Sequence, residues 1–205
     1  MDIDLLLNLR RLKEVGRCNN FFTLKKEDDV QHSYYVAVYS HLIAEDYNKY
    51  KSTKNNKKFN IEVLLKKALY HDIEETFIGD IPHNIKHSDP QTNELIDKAI
   101  NKKIDELFQK NKALKDLNKT AKDGFEGLLV DLVDMLELAF YSLEEIVKGN
   151  NSMVPLYEKA IKIIKSKVIY EDLILNSPLF AQIMETLIQP IEKVKKDFVE
   201  HLNID

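Results

Sequence analysis

Between Leu128 and Lys148, apolar side chains recur with helical spacing over about six turns, and only a helix turns such a pattern toward one side. This is the strongest helix of the chain, and a left-handed cap is expected at Gly149, where it ends. The same periodicity recurs at lower density elsewhere. Leu5, Leu9 and Leu12 mark a short amphipathic helix that stops near Gly16. Residues 19–29 are polar and broken, and Asp28-Asp29 is an N-terminal signal for a helix from about Val30 to Tyr47. Lys49 to Lys58 is rich in Lys and Asn and reads as an exposed loop. Asn60 can cap a helix carrying Ile61, Leu64, Leu65, Ala68 and Leu69 toward His71. Gly79 and Pro82 then break regular structure. Asp89-Pro90 opens a helix from about Gln91 to Gln109, followed by a polar connection to Gly127. Two more helices span about 153–168 and 178–202, the second opened by Ser177-Pro178 and bent at Pro190. No segment reads as a strand. The pattern predicts an all-α domain of six or seven helices over residues 1–205.

Composition narrows the classes further. At 205 residues and 44% hydrophobic, the chain can bury one sizeable core. Only 5 Gly and 5 Pro argue against a turn-rich sandwich or barrel and against a Gly-rich phosphate loop. The 30 basic and 34 acidic residues leave a net charge of −4, which offers no electrostatic basis for nucleic-acid binding. A single cysteine excludes an intrachain disulfide and a multi-thiolate zinc site. No apolar run is long enough for a membrane span, and Met1-Asp2-Ile3-Asp4 lacks the features of a signal peptide. A cytoplasmic protein with no membrane or nucleic-acid partner is expected.

Chemistry is carried by polar residues standing at apolar positions. His71-Asp72 follows a buried-looking run, where polar groups are disfavoured unless paired or bound to a cation. His32 shares a helical stripe with Val36, Tyr39 and Ile43, whereas His41 falls about half a turn away and faces elsewhere. Asp131 and Asp134 both interrupt the strongest helix, and at i and i+3 their periodicity does not choose between them. Two imidazoles and carboxylates from three helices make a mixed N/O donor set. Such a set suits a divalent transition metal (Co, Mn, Fe or Zn) with open positions for water and a phosphate oxygen.

The order His, then His-Asp, then a distant Asp resembles the HD-domain phosphohydrolases, and more narrowly the YfbR-like 5'-deoxynucleotidases. The shared segments are Arg11-Leu12-Lys13 with Arg17, Val30-Gln31-His32-Ser33 with Val36-Ala37, and Ala68 through Glu75. The likeness continues through Gly79-Asp80-Ile81-Pro82, Lys86, Asp134, Leu143-Glu144-Glu145 and Gly149-Asn150, covering about residues 8–165. It implies an HD-domain helical bundle, one divalent metal held by His32, His71, Asp72 and Asp134, and a homodimer. It favours Asp134 over Asp131 by distance from Glu144-Glu145 and Gly149-Asn150. Glu75 matches the catalytic glutamate, Asp80 an aspartate near the attacking water, and Arg17 the arginine on the substrate phosphate. Lys86 is a candidate for added phosphate charge.

If the helix continues past His71, Glu75 sits one turn beyond a ligand and faces the same cavity, where a carboxylate can act on water. The family usually has Trp after the phosphate-binding arginine, and this chain has Cys18 and no Trp. Discrimination between deoxyribose and ribose is therefore expected to be weaker than the family pattern implies. The expected activity is hydrolysis of (deoxy)nucleoside 5'-monophosphates by metal-activated water. The alternatives are an HD hydrolase of a triphosphate or alarmone, a non-catalytic nucleotide-binding regulator, or a purely structural bundle.

Overall fold

A computed structural model describes residues 3–50, 57–79, 89–108 and 112–202. Helix α1 (Ile3–Leu9) runs into a 3-10 turn (Arg10–Glu14), and an irregular segment leads to α2 (Asp29–Tyr50). Then come α3 (Ile61–Tyr70), α4 (Glu75–Ile78), α5 (Pro90–Leu107) and α6 (Lys112–Lys119). The long α7 (Gly124–Val147) is followed by α8 (Val154–Ser166), α9 (Tyr170–Asn176), α10 (Pro178–Leu187) and α11 (Ile191–Leu202). The described residues contain no strand; Gly16 and Asp28 form one isolated antiparallel bridge.

The caps follow from the residues at the helix ends. The Asp28 carboxylate accepts from the Val30 and Gln31 amides, both at 2.9 Å, and Asn60 accepts from the Val63 amide at 3.1 Å. Asp89 accepts from the Gln91 and Thr92 amides ahead of Pro90. Gly149 takes φ 101°, the left-handed conformation expected beyond α7.

The helices outnumber the six or seven expected, for local reasons. The stretch before Gly127 is not a plain connection. It forms α6, whose Lys115 and Lys119 pair with Asp105 on α5, and Asn118 donates to the Tyr70 carbonyl at 3.0 Å. Pro190 ends a helix instead of bending one, because it offers no N–H to continue the ladder, so 178–202 divides into α10 and α11. Tyr170–Asn176 adds a further short helix. Lys49 and Tyr50 extend α2 instead of starting a loop.

Helix α7 lies at the centre, packed against α2, α3 and α8. Leu129, Leu132, Val133, Leu136, Leu143 and Ile146 are buried there with Val36, Ile43, Tyr47 and Leu64. A second, smaller apolar cluster joins Ile73 to Ile100, Ile104 and Phe108 of the α5 region, with Leu5 and Leu9 of α1 against it. Along the chain, His71 and Asp72 fall between Ala68 of the first cluster and Ile73 of the second.

Candidate metal centre

Each of three helical segments delivers a polar group to one buried point. On α2, His32 is fully buried, as its place on the Val36–Ile43 stripe requires. His71 and Asp72 form the turn that ends α3, and Asp134 comes from the middle of α7. The His32 Nε2 atom lies 3.2 Å from His71 Nε2, 3.4 Å from Asp72 Oδ2 and 3.3 Å from Asp134 Oδ1. His71 Nε2 lies 3.1 Å from Asp72 Oδ2. One donor atom from each of these four residues falls within 4.8 Å of the others, a cluster that can hold a metal ion.

The far side of each imidazole fixes which nitrogen faces the cluster. Glu137, one turn after Asp134, accepts from His32 Nδ1–H at 2.6 Å, and the Ala68 carbonyl accepts from His71 Nδ1–H at 2.7 Å. Both Nε2 lone pairs are thereby directed inward, the arrangement that orients histidine ligands. Burial and the Arg17 charge work against a proton on His32, but Glu137, Asp134 and Asp72 outweigh them and hold the imidazole well above its usual pKa. With Asp72 and Asp134 beside Nε2 and Glu137 on Nδ1, the site is built to receive positive charge. The donor set therefore fits a divalent cation with borderline nitrogen and oxygen preferences.

Around the four stand other charged groups. Arg17 places Nη1 at 3.6 Å from Asp29 Oδ1 and 3.7 Å from Asp72 Oδ2, and Nη2 at 3.9 Å from Asp134 Oδ1. Its loop is fixed by the Arg17 amide donating to the Glu27 carbonyl at 2.9 Å and by the Asp29 amide donating to Val15 at 3.0 Å. Further along that loop, the fully buried Glu145 carboxylate accepts from the Leu24 amide at 2.5 Å, the Lys25 amide at 2.9 Å and Asn150 Nδ2 at 2.9 Å. Lys122 donates to Asp134 Oδ2 at 2.6 Å.

Helix α3 does not run on to Glu75. It stops at Tyr70, residues 71–74 form a turn, and Glu75 begins α4 with its amide donating to the Asp72 carbonyl at 3.0 Å. Glu75 still belongs to the cluster. Burial, the Asp72 charge and the neighbouring Asp29 push its carboxyl up to about 12, Arg17 opposing. Burial likewise raises Asp29, whose carboxylate oxygens are fully enclosed.

Asp131 is elsewhere, paired with Lys167 at 2.5 Å, and His41 lies on the exposed side of α2 near Glu45. Cys18 is half-buried against the main core, with φ 52°, a backbone region that side chains disfavour. Asp80 and Lys86 lie outside the described residues. Sequence reasoning missed Asp29, Lys122 and Glu137. Glu137 carried a usable signal: a third carboxylate in the densest apolar helix, one turn from Asp134.

The helical arrangement and this centre define an HD-domain phosphohydrolase fold. It is shared with an HD-domain phosphohydrolase from Listeria innocua at TM-score 0.72 and 22% identity, covering 98% of this chain and 95% of that one. A cyanophage S-2L HD phosphohydrolase, whose structure holds dA and one catalytic Zn2+, superposes at TM-score 0.58 and 16% identity, covering 93% and 96%. The chain belongs to the 5'-deoxynucleotidase YfbR-like family, whose profile matches residues 4–196. A 5'-deoxynucleotidase from Yersinia pestis (strain Pestoides F) is 30% identical over 155 residues, 72% of this chain and 76% of that protein. One from Enterobacter sp. (strain 638) is 29% identical over 168 residues, 78% and 81% of the two chains. Among the described residues, no helix is long and apolar enough to cross a membrane.

Proposed function

We propose that this protein is a metal-dependent 5'-nucleotidase that releases phosphate from deoxynucleoside 5'-monophosphates. The observation that carries this is the convergence of His32, His71, Asp72 and Asp134, with both Nε2 atoms turned inward, in a chain of this family. The named activity of the Enterobacter and Yersinia relatives, and the dA and Zn2+ of the cyanophage enzyme, support the same substrate class and cofactor. When bound, a divalent cation at these four side chains lowers the pKa of water and offsets phosphate charge.

The remaining steps belong to the protein's own groups. Arg17, anchored among three carboxylates, offers a planar fork of donors that suits two phosphate oxygens. Glu75, held protonated by burial and the Asp72 charge, would act as base on the attacking water once ionised, a form that the charge of a bound cation would favour. Asp80, near the water, and Lys86, near the phosphate, complete the set by family resemblance. Cys18 follows Arg17 with a small side chain, which leaves room for a ribose 2'-hydroxyl. The protein works as a cytoplasmic homodimer, and light scattering checks the dimer.

The test is phosphate release from a panel of ribo- and deoxynucleoside mono- and triphosphates with Mn2+, Co2+, Fe2+ or Zn2+ added separately. Monophosphates should be cleaved and triphosphates spared, with kcat/KM for dAMP above that for AMP by less than about a hundredfold, the scale at which a pocket excludes one hydroxyl. Turnover of triphosphates alone refutes the proposal.

A further inference from the structure

Lys122 has no part in the reaction outlined above, yet the fold takes trouble to place it. It stands in the turn between α6 and α7, where three features converge. Lys67, buried on α3, donates from its ammonium to the Thr120 carbonyl and, at 3.1 Å, to the Asp123 carbonyl. Gly124 takes φ +71°, a conformation open to glycine. A Cβ at Gly127 would run into the Lys122 carbonyl, whose oxygen would stand 2.8 Å away, so the turn closes this tightly onto α7 because residue 127 has no side chain.

The result is a partly exposed lysine whose ammonium reaches the metal centre. Its side chain is 41% exposed, while the ammonium meets Asp134 Oδ2 at 2.6 Å. The other oxygen of that carboxylate, Oδ1, is the one beside His32.

A phosphate monoester carries close to two negative charges at neutral pH. The centre presents it with the carboxylates of Asp72, Asp134 and Glu137. An anion can approach such a group of carboxylates only where cations face it. Among the described residues, Arg17 and Lys122 are the basic side chains paired with the aspartates of the cluster. Arg17 reaches Asp29, Asp72 and Oδ1 of Asp134 and is only 13% exposed, whereas Lys122 meets Oδ2 and its side chain is partly open to solvent. An ammonium has three donors, so one can stay on Asp134 while another points outward.

We propose that Lys122 is a further phosphate-binding residue of this site, its ammonium bridging Asp134 Oδ2 and a phosphate oxygen of the substrate. The proposal rests on the nucleotidase reading for its substrate, and inorganic phosphate tests it separately. Lys122→Met and Lys122→Arg are compared with the unmodified protein, each loaded with one equivalent of Mn2+. Metal content, calorimetric binding of inorganic phosphate, and KM and kcat for dAMP are measured. Both variants should keep the metal. Lys122→Met should weaken phosphate binding by about tenfold or more and raise KM by a similar factor with kcat changed less, the loss of one charge-assisted hydrogen bond. Lys122→Arg should recover most of the affinity. Metal loss from Lys122→Met would make the lysine a positioning residue for Asp134 and overturn the proposal, as would phosphate affinity equal to that of the unmodified protein. If the unmodified protein binds phosphate but hydrolyses no nucleotide, the nucleotidase reading fails, and the phosphate affinities alone decide on Lys122.

Discussion

Replacing Glu137 by alanine should weaken metal binding without touching a ligand. Its carboxylate accepts from His32 Nδ1–H at 2.6 Å, and both residues are buried, His32 at 0% and Glu137 at 4% exposure. Water cannot readily take over the bond. A hydrogen bond to a charged partner contributes about 1.5–3 kcal/mol. Outer partners of histidine ligands typically account for about 10–100-fold in metal affinity, or roughly 1.4–2.7 kcal/mol. The two ranges overlap, so a loss of 10–100-fold is expected for Glu137→Ala, by the same principle of outer-shell orientation. Glu137→Gln keeps a neutral acceptor at the same reach and should lose about tenfold, the lower end of that range. Competition against a chromophoric chelator for Zn2+ at fixed pH measures the affinity, and a thermal melt of the metal-free protein shows that each variant is folded. A folded Glu137→Ala protein that binds Zn2+ within about twofold of the parent would refute the orienting role assigned to this carboxylate by outer-shell logic.

Three more outcomes are expected. Asp134→Ala should lose the metal while Asp131→Asn keeps it, because Asp131 is engaged with Lys167 at 2.5 Å away from the cluster; elemental analysis decides. Glu75→Gln should retain metal and bind nucleotide while kcat falls by about a hundredfold or more, the scale of a lost general base, and parental turnover would remove Glu75 from the proton path. Glu145→Ala should cost about 3 kcal/mol in urea unfolding, because the Leu24 and Lys25 amides and Asn150 lose a buried acceptor. Burial works to raise the Glu145 carboxyl, but Asn150 and those two amides outweigh it and hold it below the usual carboxylate range. Its stabilisation is therefore complete above the ordinary glutamate pKa and is lost as pH falls through the depressed value, and Glu145→Gln should flatten that acid limb.

Apolar spacing and capping residues located α2, α3, α5 and α7 to within a few residues, because these helices carry both a buried stripe and a local cap. The extra helices were not legible. Helix α6 carries few apolar residues, and it is held by contacts that no window of sequence contains: Asp105 to Lys115 and Lys119, and Asn118 to Tyr70. His32, His71 and Asp72 stood out as polar groups inside apolar runs, Asp134 did so equally with Asp131 and was preferred by family resemblance alone, and tertiary packing brings the four together. Asp29 and Lys122 gave no such sign. Asp29 reads as a helix-start residue beside Asp28, and Lys122 as one more solvated lysine in a polar stretch. Only the folding of the 15–29 loop and of the turn before α7 turns them toward the cluster.

The position of His71 and Asp72 between two apolar clusters has a thermodynamic consequence. His32 and Asp134 are carried by the large cluster, whereas the turn that presents His71 and Asp72 continues directly into Ile73 of the small one. Small apolar units of this kind open more readily than a central core, and opening this one would pull two of four ligands out of register. A cation bound to all four side chains acts as a rivet across the seam. By mass action it stabilises the closed form by about 2.7 kcal/mol at a free concentration a hundred times its Kd. Amide hydrogen exchange along Pro90–Leu107 should consequently slow when metal is added, while exchange at the centre of Gly124–Val147 changes far less.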